Sequence, residues 1–134
     1  MIYTGVDLIE IERIGTAIER WGDRFLLRVY SAEELVRYRD RLPSLAARWA
    51  AKEACAKLLG VGLRGLGAGE QLAAITLTDI ETLADSYGRP QLRLHRGAAA
   101  RAETLGIAHL SVSISHTHAY AVAFVVGMGT GYMA

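Results

Sequence analysis

Apolar residues recur at Ile11, Ile14, Ile18 and Trp21 with charged residues between them, and this spacing of three and four predicts an amphipathic helix. Ahead of it, Ile2, Tyr3, Val6 and Leu8 predict a short strand over Met1 to Leu8. Helical character is expected to continue from Arg24 to Tyr30. Ser31 with Glu34 three residues later has the form of a capping box, opening a further short helix through Arg39. The most helical segment follows, rich in alanine, with Pro43 and Ser44 suited to its start and Gly60 to its stop. The run GVGLRGLGAG from Gly60 to Gly69 holds five glycines and predicts a loop.

The second half changes period. Ala73 to Leu83 alternates in the manner of a strand, Ser86 to Pro90 is a turn, and Gln91 to His95 is the return strand of a hairpin. Gly97 to Leu105 predicts an alanine-rich helix ending at Gly106. His109 to Ser115 and Tyr120 to Val126 predict two more strands, joined through His116 to Ala119, and the tail GMGTGYMA is expected to fray. The order of elements predicts an α+β fold, a mostly antiparallel sheet packed with a long helix, in one domain over residues 1–134.

Composition narrows the function. Lysine and arginine number 15 against 14 acidic residues, so overall charge points to neither a nucleic acid nor a membrane surface. No run approaches the roughly 20 apolar residues of a membrane span, and the expected location is cytoplasmic. The single Cys55 excludes an internal disulfide and reads as a small buried side chain. Hydrophobic residues make up 51% of the chain, enough that some apolar surface is expected to be buried between subunits.

Trp49, Glu53 and Lys57 lie four apart and share one face of the alanine-rich helix, where small neighbours let something large come close. Leu45, Ala56 and Leu59 prefer another stripe, toward a core. A Glu to Lys pair in this order is also a favoured surface pair, contributing about 0.3 to 0.5 kcal/mol. Asp7, with Glu10 three residues later, suits a helix cap first; the alternative is a hard-cation ligand at a strand end, for which one carboxylate is insufficient. Mg²⁺ takes one or two protein carboxylates, and Glu53 is the obvious second. His116 alternates with Ile114 and Val112, as a core histidine would; His118 shares its parity, and a His-x-His pair on a strand can chelate zinc if a third ligand is found.

GVDLIEIERI, RWAAKEACAKLLG and SVSISHTHAYAVA resemble, in order and at ordinary spacing, the three motifs of the holo-acyl-carrier-protein synthases, the small bacterial phosphopantetheinyl transferases. Gly88-Arg89-Pro90 matches the family's Gly-x-Pro turn. The resemblance implies transfer of the 4′-phosphopantetheine arm of coenzyme A to a serine of apo acyl carrier protein, releasing adenosine 3′,5′-bisphosphate. It implies Mg²⁺ on Asp7 and Glu53, and Lys57 near the coenzyme phosphates with Arg48 and Lys52 as further cationic candidates. His116 would stand beside the pyrophosphate or the incoming serine, whose proton goes to His116, to Glu53 or to a water on the metal. Arg13 matches a family arginine that meets the acidic helix of the carrier, and the resemblance extends to a homotrimer with sites between subunits. Two rival functions are a zinc-dependent hydrolase using His116 and His118, and a non-catalytic module that binds coenzyme A or a carrier protein.

Overall fold

A computed structural model of the chain describes residues 1–61 and 75–130. Its long helix, α4 (Leu42–Leu59), begins with proline in its first turn and ends at Gly60, whose φ of 69° gives the left-handed cap that glycine adopts without strain. Leu45, Ala50, Ala54 and Leu59 are fully buried. The alanine face was expected to admit something large, and what it admits is the protein's own sheet. A Cβ added to Gly5 would lie 1.9 Å from the carbonyl oxygen of Ala54, so strand and helix backbones meet there without side chains between them.

That sheet has the order β1-β5-β4, all antiparallel, from β1 (Ile2–Glu10), β4 (Ile107–His116) and β5 (Tyr120–Gly129). One face packs on α4 through Gly5, Ile9, Ala121, Ala123 and Val125; on the other, Val6, Leu8, Tyr120 and Phe124 are exposed. The amphipathic helix α1 (Ile11–Trp21) is separated at Gly22 from α2 (Asp23–Val29). The capping box at Ser31 opens α3 (Ala32–Tyr38) as its spacing predicts, with Glu34 bonded to the Ser31 backbone. A hairpin of β2 (Ile80–Ala84) and β3 (Pro90–Leu94) makes a second sheet, and α5 (Arg96–Thr104) leads into β4. The result is an α+β fold with mostly antiparallel pairing, as the order of elements predicted.

Several local expectations are corrected. β1 runs through Glu10, so Asp7 lies mid-strand opposite Ala123 and caps no helix; Glu10 occupies the cap position and makes no side-chain cap bond. Leu77–Asp79 is a single 3₁₀ turn, closed by a reciprocal Thr76 and Asp79 box, and the strand starts only at Ile80. β5 continues to Gly129 because β1 and β4 pair with it on both sides out to Met128, where fraying had been expected. The glycine-rich loop from residue 62 and the last four residues lie outside the described residues. Cys55 is buried, and burial pushes its thiol up to about 12, as an inert core residue requires. Among the described residues no helix is long and apolar enough to cross a membrane.

Candidate active site

The α4 face carrying Trp49, Glu53 and Lys57 runs beside the edge strand β1. Odd-numbered residues of β1 turn toward the helix, and this parity aims Asp7 at α4. Lys57 Nζ stands 3.1 Å from Asp7 Oδ1 and donates to the Val6 carbonyl at 3.1 Å as well. Glu53, half-buried one turn earlier, has its pKa raised first by desolvation and then by the Asp7 charge, with Lys57 pulling the other way. Two carboxylates and one ammonium therefore meet at one place, brought together from positions 7, 53 and 57. Lys57 is more exposed than Asp7, 57% against 16% in the side chain, and can swing toward solvent while the carboxylate stays.

The donor set fits a hard dication. Two protein carboxylates are what Mg²⁺ takes when water and substrate phosphates complete its octahedron. Among the described residues no third acidic, imidazole or thiol group joins them, which suits such an open site and does not suit a closed structural one.

His116 is exposed at the end of β4, its Nδ1 3.4 Å from the Thr117 carbonyl, so the core-histidine alternative is excluded. It pairs with Ala121, which pairs with Ile9. Two strand spacings, roughly 10 Å, therefore separate it from β1 within one chain. His118 is exposed in the adjoining turn, and no group of three potential zinc ligands exists among the described residues.

The other cationic candidates go elsewhere. Arg48 is buried with its guanidinium 3.7 Å above the Tyr38 ring, and it donates to the carbonyls of Thr82 and Ser44. Lys52 is fully buried against Glu34 at 2.8 Å. Lys52 would have to give up its bonds to Glu34, Leu77 and Ile80 to reach a coenzyme phosphate, whereas Arg48 keeps guanidinium N–H groups beyond its two carbonyl bonds.

One feature of the site was missed in the sequence. Phe25 of α2 stacks on Trp49 at 5.9 Å, and the two open a cavity of about 680 Å³ also lined by Trp21, Arg24, Leu27 and Arg28. It lies one helical turn from Glu53. The alternation of arginine and aromatic residues over 21–28 was the available signal, but only contact with α4 turns it into a cavity. Arg13 stands in the first turn of α1, beside a small cleft with Glu10, Glu12 and Thr16.

Residues 3–125 match the model of the 4′-phosphopantetheinyl transferase superfamily. The chain is similar to the holo-[acyl-carrier-protein] synthase of Herpetosiphon aurantiacus, 57% identical over 96% of this chain and 100% of that one. Its fold matches the crystal structure of the Helicobacter pylori holo-[acyl-carrier-protein] synthase in complex with coenzyme A. There the TM-score is 0.78 and the identity 34%, over 96% of this chain and 100% of that one. The holo-[acyl-carrier-protein] synthase from Neisseria meningitidis gives a TM-score of 0.82 at 31% identity, over 96% and 99%.

Proposed function

Since the chain belongs to the 4′-phosphopantetheinyl transferase superfamily, we propose that it moves the 4′-phosphopantetheine arm of coenzyme A to a serine of apo acyl carrier protein, Mg²⁺-dependently, releasing adenosine 3′,5′-bisphosphate. The observation that carries this reading is the convergence of Asp7, Glu53 and Lys57 on one open site. Attack at a phosphorus of a pyrophosphate demands little covalent chemistry from the protein; positioning and charge compensation dominate. When bound at Asp7 and Glu53, Mg²⁺ would supply neutralisation of the pyrophosphate oxygens. Lys57 would turn its ammonium from Asp7 to a phosphate oxygen. The serine Oγ forms the new bond to phosphorus, the bond from that phosphorus to the bridging oxygen breaks, and adenosine 3′,5′-bisphosphate leaves with the electron pair. Glu53, His116 or a water held on the metal would take the serine proton. Incubation with apo acyl carrier protein, coenzyme A and Mg²⁺ should add the arm, seen as a mass increase on the carrier. An unmodified carrier under these conditions would overturn the assignment.

A homotrimer is supported by the exposed apolar face of Val6, Leu8, Tyr120 and Phe124, which a lone domain would leave wet. His116 lies too far from Asp7 to meet it across the sheet, so contribution from a neighbouring subunit fits the same assembly. Leu8→Glu should convert the trimer to monomer in sedimentation and reduce turnover at least ~10-fold, since a charge cannot be left in such an interface. A wild-type protein sedimenting only as monomer would defeat the trimer.

The carrier is acidic, and basic groups flank the site. Arg24 and Arg28 rim the cavity beside Trp49, and Arg13 lies in the first turn of α1. An acidic helix laid across them would bring its serine toward Glu53. Arg13→Glu is expected to raise the KM for the carrier about tenfold at low salt, the equivalent of 1.4 kcal/mol, with the KM for coenzyme A nearly unchanged. Equal losses for both substrates would remove Arg13 from the docking surface.

A further inference from the structure

α4 carries two stripes about 100° apart around its axis: Trp49, Glu53 and Lys57 on one, Arg48 and Lys52 on the other. The second stripe is attached to the hairpin by an unusual device. Among the described residues no strand pairs with the edge of β2 that faces away from β3. Side chains of α3 and α4 take the place of that strand. Lys52 Nζ donates to the Ile80 carbonyl, and Glu34 Oε2 accepts from the Thr82 amide at 2.9 Å. Arg48 Nε donates to the Thr82 carbonyl at 3.3 Å. The Tyr38 hydroxyl accepts from the Ala84 amide at 3.3 Å, and Arg37 donates to the Ala84 carbonyl at 3.0 Å.

The centre of this clamp is a charged pair with no exposure to water. Lys52 Nζ donates to Glu34 Oε1 at 2.8 Å and to the Leu77 carbonyl at 3.1 Å, so all three of its protons are placed, the third on Ile80. Removing such charges from water is costly, and apolar replacements of similar volume commonly match their stability. What the pair supplies beyond stability is direction: an ammonium with three fixed acceptors sets the roll of its helix. An alanine-rich helix has shallow ridges to do this by packing. A roll of about 20° would carry a carboxylate roughly 6 Å from the axis through about 2 Å.

We propose that Lys52 and Glu34, with Arg48, are positioning residues: the clamp on β2 fixes the roll of α4 and so holds Glu53 and Lys57 in register with Asp7. This rests on the site assigned above to those three residues. It also explains why a lysine adjacent to Glu53 faces into the protein and not toward a substrate.

The test is the double variant Glu34→Gln/Lys52→Met, which keeps an acceptor for Thr82 and fills the lysine's volume. It should remain folded and lose about 100-fold in kcat, the scale of a 1 Å misplacement. The KM for acyl carrier protein, determined on α1 and α2, should stay within about twofold. Binding of Mn²⁺ alone, read by electron paramagnetic resonance, should weaken about tenfold because the carboxylates part, equivalent to 1.4 kcal/mol. Leu105→Ala, remote from the clamp, serves as a control for simple destabilisation and should retain kcat and Mn²⁺ affinity. Wild-type kcat and Mn²⁺ affinity in the double variant, with Asp7→Asn inactive, would overturn the positioning role alone. An active Asp7→Asn would overturn the site on which it rests. Should the double variant not fold, Arg48→Gln, which loosens the same stripe, should lower kcat about tenfold, and wild-type kcat there would overturn the proposal.

Discussion

Asp7→Asn and Glu53→Gln are each expected to reduce arm transfer by at least ~10³-fold while leaving the fold intact, the scale on which one electrostatic contributor to phosphoryl-type transfer acts. Both substitutions keep size and shape and remove one negative charge. For Asp7 the change leaves Lys57 an amide oxygen to donate to beside the Val6 carbonyl but removes the charge, and the strand pairing with Ala123 is untouched. For Glu53 the sign of the stability effect can be worked out. Its pKa in the folded chain is raised, by desolvation and then by Asp7, so the folded state favours its protonated form. Its contribution is favourable only at low pH and is lost as pH rises through the folded value. In metal-free buffer at neutral pH, Glu53→Gln should therefore melt no lower than the wild type. Added Mg²⁺ should raise the melting temperature of the wild type and leave both variants nearly unmoved. Turnover at wild-type level in either variant would end the assignment of these carboxylates. Loss of turnover accompanied by a collapsed melting curve would assign them to the fold instead.

This asymmetry between chemistry and stability also marks what the sequence could and could not disclose. Glu53 and Lys57 are legible because a helix repeats every 3.6 residues and alanine, proline and Gly60 announce that helix with purely local signals. The hairpin at Gly88 and the capping box at Ser31 are legible for the same reason. Asp7 was ambiguous because Asp followed by Glu10 satisfies the local rule for a cap, while its strand is extended by pairing with β5, more than a hundred positions away. Lys52 offered a signal that was passed over. It lies on the stripe of Leu45, Arg48, Ala56 and Leu59, and a lysine on a core stripe requires a carboxylate elsewhere. Which carboxylate could not be read: Glu34 was already accounted for as a cap, and its second role depends on how α3 is laid against α4. The cavity between Phe25 and Trp49 is invisible for a similar reason, since two helices separated by a third have to meet before it exists.

Gly5→Ala is the substitution expected to damage the fold most. A Cβ at this position would stand 1.9 Å from the Ala54 carbonyl oxygen, 2.9 Å from its carbon and 3.0 Å from the Leu58 amide nitrogen. All three are helix backbone atoms, so no side-chain rotation relieves the contact. β1 must instead lift from α4 by more than an ångström, opening the layer of Ile9, Ala50, Ala54, Ala121 and Ala123. Overpacking against backbone of this kind should cost about 3 to 5 kcal/mol, a large part of the 5 to 15 kcal/mol that holds a domain together. For a chain of this size the melting temperature should fall by ~10 to 15 °C. Gly22→Ala makes a useful contrast: its φ of 54° is strained for alanine, but nothing lies within 4 Å. Its ψ of −132° also lies outside the left-handed well, so that change should cost about 1 to 3 kcal/mol, a penalty that is conformational and involves no neighbouring atom. The two variants also separate in activity. Asp7 lies two residues beyond Gly5 on the same face of β1, so lifting the strand carries the carboxylate away from Glu53 even in molecules that fold. Gly5→Ala should therefore lose turnover below its melting temperature, where Gly22→Ala keeps it. A Gly5→Ala protein melting within about 2 °C of wild type would mean that strand and helix do not meet backbone to backbone at this point.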